Sequence, residues 1–114
     1  MNIRYGLIAL ITLFITACSK PLPESKLAYA GEWQSAEMRL LILVDGTVSY
    51  TRLQNGGTTS INAPIKGFLD DNFVVGLGPF STTFEVTKVP AEINGTWQMV
   101  VDGVRLSKVN RENF

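Results

Sequence analysis

Turn dipeptides at close intervals set the strongest limit on this chain: Asp45-Gly46, Asn55-Gly56, Asp70-Asp71, Asn94-Gly95 and Asp102-Gly103. Asp-Gly and Asn-Gly supply the positive φ that two-residue hairpin loops demand. Between them lie short apolar runs, and nowhere does an apolar stripe of helical period last three turns. Short strands punctuated this often form antiparallel meanders. The expected fold is all-β: a small antiparallel meander, closed as a barrel or a sandwich, of about eight short strands.

Two hairpins can be registered from the residues. With Asp45-Gly46 as a two-residue loop, Leu43 faces Val48 and Leu41 faces Tyr50, so Leu41, Leu43, Val48 and Tyr50 share a core face. The opposite face then carries Leu40, Ile42 and Val44, which is apolar for a surface and calls for a cover or a bound partner. With Asp102-Gly103 as the second loop, Trp97, Met99, Val101, Val104 and Leu106 form one apolar face, opposite Thr96, Gln98, Arg105 and Ser107. Phe80, Thr82, Phe84 and Val86 alternate with Ser81, Thr83, Glu85 and Thr87, as one further strand with a wet face. A small domain must bury these faces against each other. The expected interior is therefore filled, with Phe73 and Phe84 between the two hairpins.

The start of the chain has a different character. Arg4 precedes an uncharged run over residues 7–17. As a helix this run covers roughly 16 Å, short of the roughly 20 residues a bilayer core needs. A charged start, an apolar middle and small residues before a cut are the layout of a secretory signal. Ile15-Thr16-Ala17-Cys18 resembles the lipobox of bacterial lipoproteins, in which an aliphatic residue and two small residues precede an acylated cysteine. The resemblance implies removal of residues 1–17 and a covalent lipid, palmitate or a similar acyl chain, on Cys18. Cys18 is the only cysteine, so an exported chain has no internal disulfide to make with it. Two or more acyl chains anchor stably where one does not. Ser19, in place of Asp, resembles the class that moves on to the outer membrane in Gram-negative cells, facing the periplasm.

These readings divide the chain into a signal peptide (1–17), a lipidated cysteine and tether (18–28), an antiparallel β domain (29–110) and a C-terminal tail (111–114). Pro21 and Pro23 with alternating charges read as an extended, solvated tether. Lys and Arg number 10 and Asp and Glu 10, for a net charge of zero. With no basic stripe, nucleic acid is not an expected partner.

Little in the chain points to catalysis. There is no histidine, hence no imidazole base and no histidine-based metal site. No Ser or Thr stands at a recognisable spacing from a Lys or acid partner. Asp70-Asp71-Asn72 lacks the alternating carboxylates of a calcium loop and reads as a turn. Gly76-Leu77-Gly78 has no helix after it, as a phosphate loop would require, and reads as a bend or close backbone approach. No enzyme activity, cofactor or metal is expected beyond the lipid on Cys18.

Gly31-Glu32-Trp33 at the first strand resembles the calycins: lipocalins, fatty-acid-binding proteins and avidins. Those families set a basic residue near the end of the last strand against that tryptophan, and Arg105, Lys108 and Arg111 offer it here. The resemblance implies a meander barrel whose interior, lined by Trp33, Tyr50, Phe73, Phe84 and Trp97, would hold a small apolar ligand. The expected role is thus a membrane-anchored, non-enzymatic envelope lipoprotein that binds envelope proteins or plays a structural part. The alternative is a calycin-like ligand barrel.

Overall fold

The structure, a computed structural model, describes residues 20–109. Cys18 and the lipobox, like Arg111, lie outside the described residues. The chain enters through a 3-10 helix, Glu24–Tyr29, and continues through nine strands: β1 Gly31–Gln34, β2 Met38–Ile42, β3 Thr47–Gln54, β4 Gly57–Leu69, β5 Asn72–Leu77, β6 Phe80–Phe84, β7 Val86–Ile93, β8 Thr96–Val101 and β9 Val104–Lys108. All pairings are antiparallel, in the order β6-β5-β4-β3-β2-β1-β9-β8-β7. Among the described residues no helix is long and apolar enough to cross a membrane.

The sheet order dictates the shape. β6 and β7 are its two edges, yet only Glu85 separates them in the chain. A single residue can join opposite edges of nine strands only if the sheet curls round on itself, and the result is a curled half-barrel. At this junction the chain is tied to Asp102 of the β8–β9 turn and to Asn72 of β5. The Glu85 N–H donates to Asp102 Oδ1 at 2.8 Å, the Asp102 N–H donates to the Glu85 carbonyl at 2.8 Å, and the Val86 N–H donates to Asn72 Oδ1 at 2.8 Å. The expected single strand over 80–87 is therefore two strands, broken where the chain crosses the seam. β7, an exposed edge, is guarded by two register irregularities, by Lys88 and by Pro90, devices that keep an edge from pairing with another chain.

β4 serves two ladders. Its first part pairs with β3 as far as Pro64, opposite Thr47. The remainder pairs with β5 across an irregularity between Ile65 and Gly67. Pro64 has no N–H to give a ladder, so the first ladder ends there. Ile65 then donates to the Gly46 carbonyl at 2.7 Å.

The Asp102-Gly103 hairpin has the expected register: Val101 faces Val104 and Met99 faces Leu106. Asp102 and Gly103 both have positive φ, 50° and 79°, the signature of a type I′ turn. The Asp45-Gly46 hairpin does not. Leu43 pairs with Thr47 through its N–H, and Gly46 N–H returns to the Leu43 carbonyl, so the loop holds Val44, Asp45 and Gly46. Gly46 takes the left-handed position at φ 93°, as three-residue loops require. One extra loop residue shifts the register by one and exchanges the faces of the strand. Ile42 faces Val48 and Leu40 faces Tyr50. Leu40 is 0% exposed and Leu43 45%, so Leu40 and Ile42, expected outside, are core, and Leu41 and Leu43 lie on the outer face.

The packed region also begins before Tyr29. Leu22 is buried, and its N–H donates to the Val44 carbonyl at 2.9 Å. Tyr29 is buried and donates its hydroxyl to the Asp71 carbonyl at 2.8 Å, while Lys26 Nζ donates to the Asp70 carbonyl at 2.9 Å. The Asp70-Asp71 turn thus fastens the 3-10 helix to the sheet. Within the segment read as a solvated tether, Leu22 and Lys26 are thus docked on the domain.

Candidate functional site

Of the five aromatic residues proposed to line an interior, four are buried together. Phe73 stacks on Phe84 at 5.0 Å between centroids, and Tyr50 meets Phe84 edge-on at 4.9 Å. Tyr29 meets Phe73 edge-on at 6.2 Å. These are the offset and perpendicular arrangements that aromatic quadrupoles favour. Trp33 is fully buried, and its indole N–H donates to the Tyr29 carbonyl at 2.9 Å. Met99, Leu40 and Leu106 belong to the same buried cluster. The inward positions of the half-barrel are occupied by side chains in contact.

Trp97 departs from the expectation of a core residue. Alternation places it on the same face as Met99 and Val101, but it sits at the start of β8, opposite Glu92, and is 38% exposed. Here the hydrophobic core ends and a cation closes it. Lys108, opposite Trp33 in the β1–β9 ladder, holds its ammonium 4.9 Å from the Trp33 ring and 5.4 Å from the Trp97 ring. A lysine between two indoles gains from both quadrupoles. Its burial lowers the ammonium pKa below the usual lysine value. Gly31 completes the arrangement: it stands at φ 138°, and a Cβ there would come within 2.8 Å of the Lys108 side chain. Of the three cations the sequence offered against Trp33, Lys108 holds the position. Arg105 reaches toward Gln98 instead, and Arg111 lies outside the described residues. The sequence does not disclose that Lys108 lies between two indoles, because alternation groups Trp97 with the core residues of its strand.

The two readings of small motifs as turns agree with the geometry. Asp70-Asp71-Asn72 directs its polar atoms into the fold: two carbonyls accept from Lys26 and Tyr29, and Asn72 Oδ1 accepts from Val86. Gly76 is a close backbone approach, since a Cβ there would run into the Phe80 carbonyl.

The depressions on the described surface are open. Two of them hold about 350 Å³ each. One is lined by Leu41, Leu43, Pro64 and Leu77 among others, and the other by Lys20, Pro64, Lys66 and Leu77. They share a border and lie on the outside of the sheet. Comparison with known protein families, with curated proteins and with solved structures finds no match to this chain.

Proposed function

We propose that this chain is a bacterial lipoprotein, held on the cell envelope by acyl chains on Cys18, whose small β domain has a non-enzymatic binding or structural role. One observation carries the reading. Ile15-Thr16-Ala17-Cys18 closes an uncharged apolar run, and Cys18 is the chain's only cysteine. A filled interior supports a domain that works through its outer surface, by contact with other envelope components. In a Gram-negative cell Ser19 favours the periplasmic face of the outer membrane. Cells making either the native chain or Cys18→Ala are fractionated to test this. The native chain is expected with the membranes and the variant in the soluble fraction or as unprocessed precursor. A Cys18→Ala chain that is cleaved normally and still sediments fully with membranes refutes the anchor.

A second reading has one specific observation in its favour. Gly31, Trp33 and Lys108 reproduce the glycine, tryptophan and last-strand cation that carry the resemblance to calycins. That reading requires the interior aromatics to part for an apolar ligand. It predicts that adding a fatty acid shifts the tryptophan emission. An unchanged spectrum across a full titration counts against it.

A further inference from the structure

We infer that the outer face around Lys20, formed by the tips of the β2–β3 and β5–β6 hairpins, rests on the surface of the bilayer to which the chain is anchored. The inference rests on the anchoring of Cys18 proposed above and adds which face of the domain meets the lipid.

Covalent reach comes first. Lys20 is the first described residue, and Cys18 stands two residues before it. Two residues span at most about 7 Å when fully extended. Leu22 is already buried and bonded to Val44, so no slack tether intervenes. Lys20 is itself held against the β2–β3 loop: its carbonyl lies where a Cβ on Gly46 would be. Acyl chains on Cys18 therefore bring the surface beside Lys20 to the headgroup layer. A freely swinging domain would need a longer linker than this chain has.

That same surface gathers four large exposed apolar side chains, Leu43, Val44, Leu77 and Phe80. Val44 at the β2–β3 tip is 61% exposed, Leu77 58% and Phe80 78%. Leu77 and Phe80 are cross-strand partners flanking the β5–β6 loop. Leu43, Pro64 and Leu77 line one depression, and Lys20, Lys66 and Leu77 line its neighbour, with no acidic side chain in either. Asp45, the carboxylate of the β2–β3 loop, accepts from the Thr47 N–H and hydroxyl. Apolar tips rimmed by lysines suit a bilayer interface: apolar side chains enter the acyl boundary while ammonium groups stay at the phosphates. Lysines near an anionic surface add further attraction. The burial left open by Leu43, Val44, Leu77 and Phe80 is thus supplied by lipid.

The test uses the full chain, purified from the membrane and reconstituted in phosphatidylethanolamine–phosphatidylglycerol vesicles. An acylated Cys18 cannot react with a thiol reagent, so a cysteine placed elsewhere takes a nitroxide spin label uniquely. Val44→Cys and Phe80→Cys report from the two hairpin tips. Thr58→Cys reports from the far end of the β3–β4 hairpin, roughly 20 Å along the strands. In the expected result the native chain takes no label. Labels at 44 and 80 collide more with dissolved oxygen than with a water-soluble nickel chelate, and the label at 58 shows the reverse. If the native chain takes no label but positions 44 and 80 behave like 58, the docking is overturned while the anchor stands. Shielding of 44 and 80 from both oxygen and nickel, or dipolar broadening between copies, puts protein there and also overturns it. Labelling of Cys18 in the native chain overturns the anchor and the docking together.

Discussion

Leu40→Ala and Leu43→Ala delete the same atoms from the same hairpin, and the structure assigns them opposite consequences. Leu40 is 0% exposed, facing Tyr50 inside the half-barrel, whereas Leu43 is 45% exposed beside the loop. Removing three buried carbons at about 0.8 kcal/mol each costs roughly 2.4 kcal/mol in transfer alone. The cavity left behind raises this toward the roughly 2–5 kcal/mol usual for buried Leu→Ala. At Leu43 the expected cost is below about 1 kcal/mol. The assay is urea unfolding of the chain from Ser19 onward, followed by tryptophan emission. With a slope of about 1–3 kcal/mol per molar, Leu40→Ala should lower the midpoint by roughly 2 M, and Leu43→Ala by less than about half a molar. The two-residue loop makes the opposite prediction, because it places Leu43 in the core and Leu40 outside. An equal loss at both positions, or a larger one at Leu43, refutes the three-residue loop and the core built on it.

The tryptophans should differ in the same way. Trp33→Ala is expected to cost roughly 3–5 kcal/mol, and Trp97→Ala distinctly less, as read from the same urea midpoints. In a Trp33→Phe background, emission from Trp97 should be red-shifted and open to quenching by iodide. Gly103→Val should cost on the order of 1–3 kcal/mol, because φ 79° strains a β-branched residue; an unchanged midpoint would remove the turn assignment. Tyr29 supplies a pH signature: burial, and secondarily the Asp71 carboxylate, push its pKa from 10.0 up to about 12. A raised folded-state pKa gives stability that is present below pH 10 and is lost as the pH rises from 10 toward 12. Tyr29→Phe should flatten that decline relative to the native chain, and parallel pH profiles would contradict it.

The two Asp-Gly hairpins show what the residues do and do not disclose. At Asp102-Gly103 the alternation on both strands agrees with a two-residue loop, so register, turn type and core face were all legible. At Asp45-Gly46 the same dipeptide closes a longer loop, because Asp45 bonds Thr47 and Gly46 lies against the Lys20 backbone. Nothing within the hairpin announces a contact with a segment some 25 residues earlier. The apolar run over 40–44 did carry a warning, since an outer face of Leu40, Ile42 and Val44 made poor physical sense. Leu22 was hidden by its flanking prolines, which read as linker composition although they present one apolar side chain to the core. Alternation groups Phe80 with Phe84, but Phe80 stands at the end of β6 beside the β5–β6 loop and is exposed there. Lys108 could be narrowed to one of three cations; its place between two indoles depends on Trp97 standing at the rim.

Intact mass spectrometry of the protein purified from membranes tests the central claim most directly. The mature chain is expected to begin at Cys18, to lack residues 1–17 and to carry the added mass of two or three acyl chains on that residue. A chain that keeps residues 1–17, is cut elsewhere, or carries an unmodified Cys18 would contradict it.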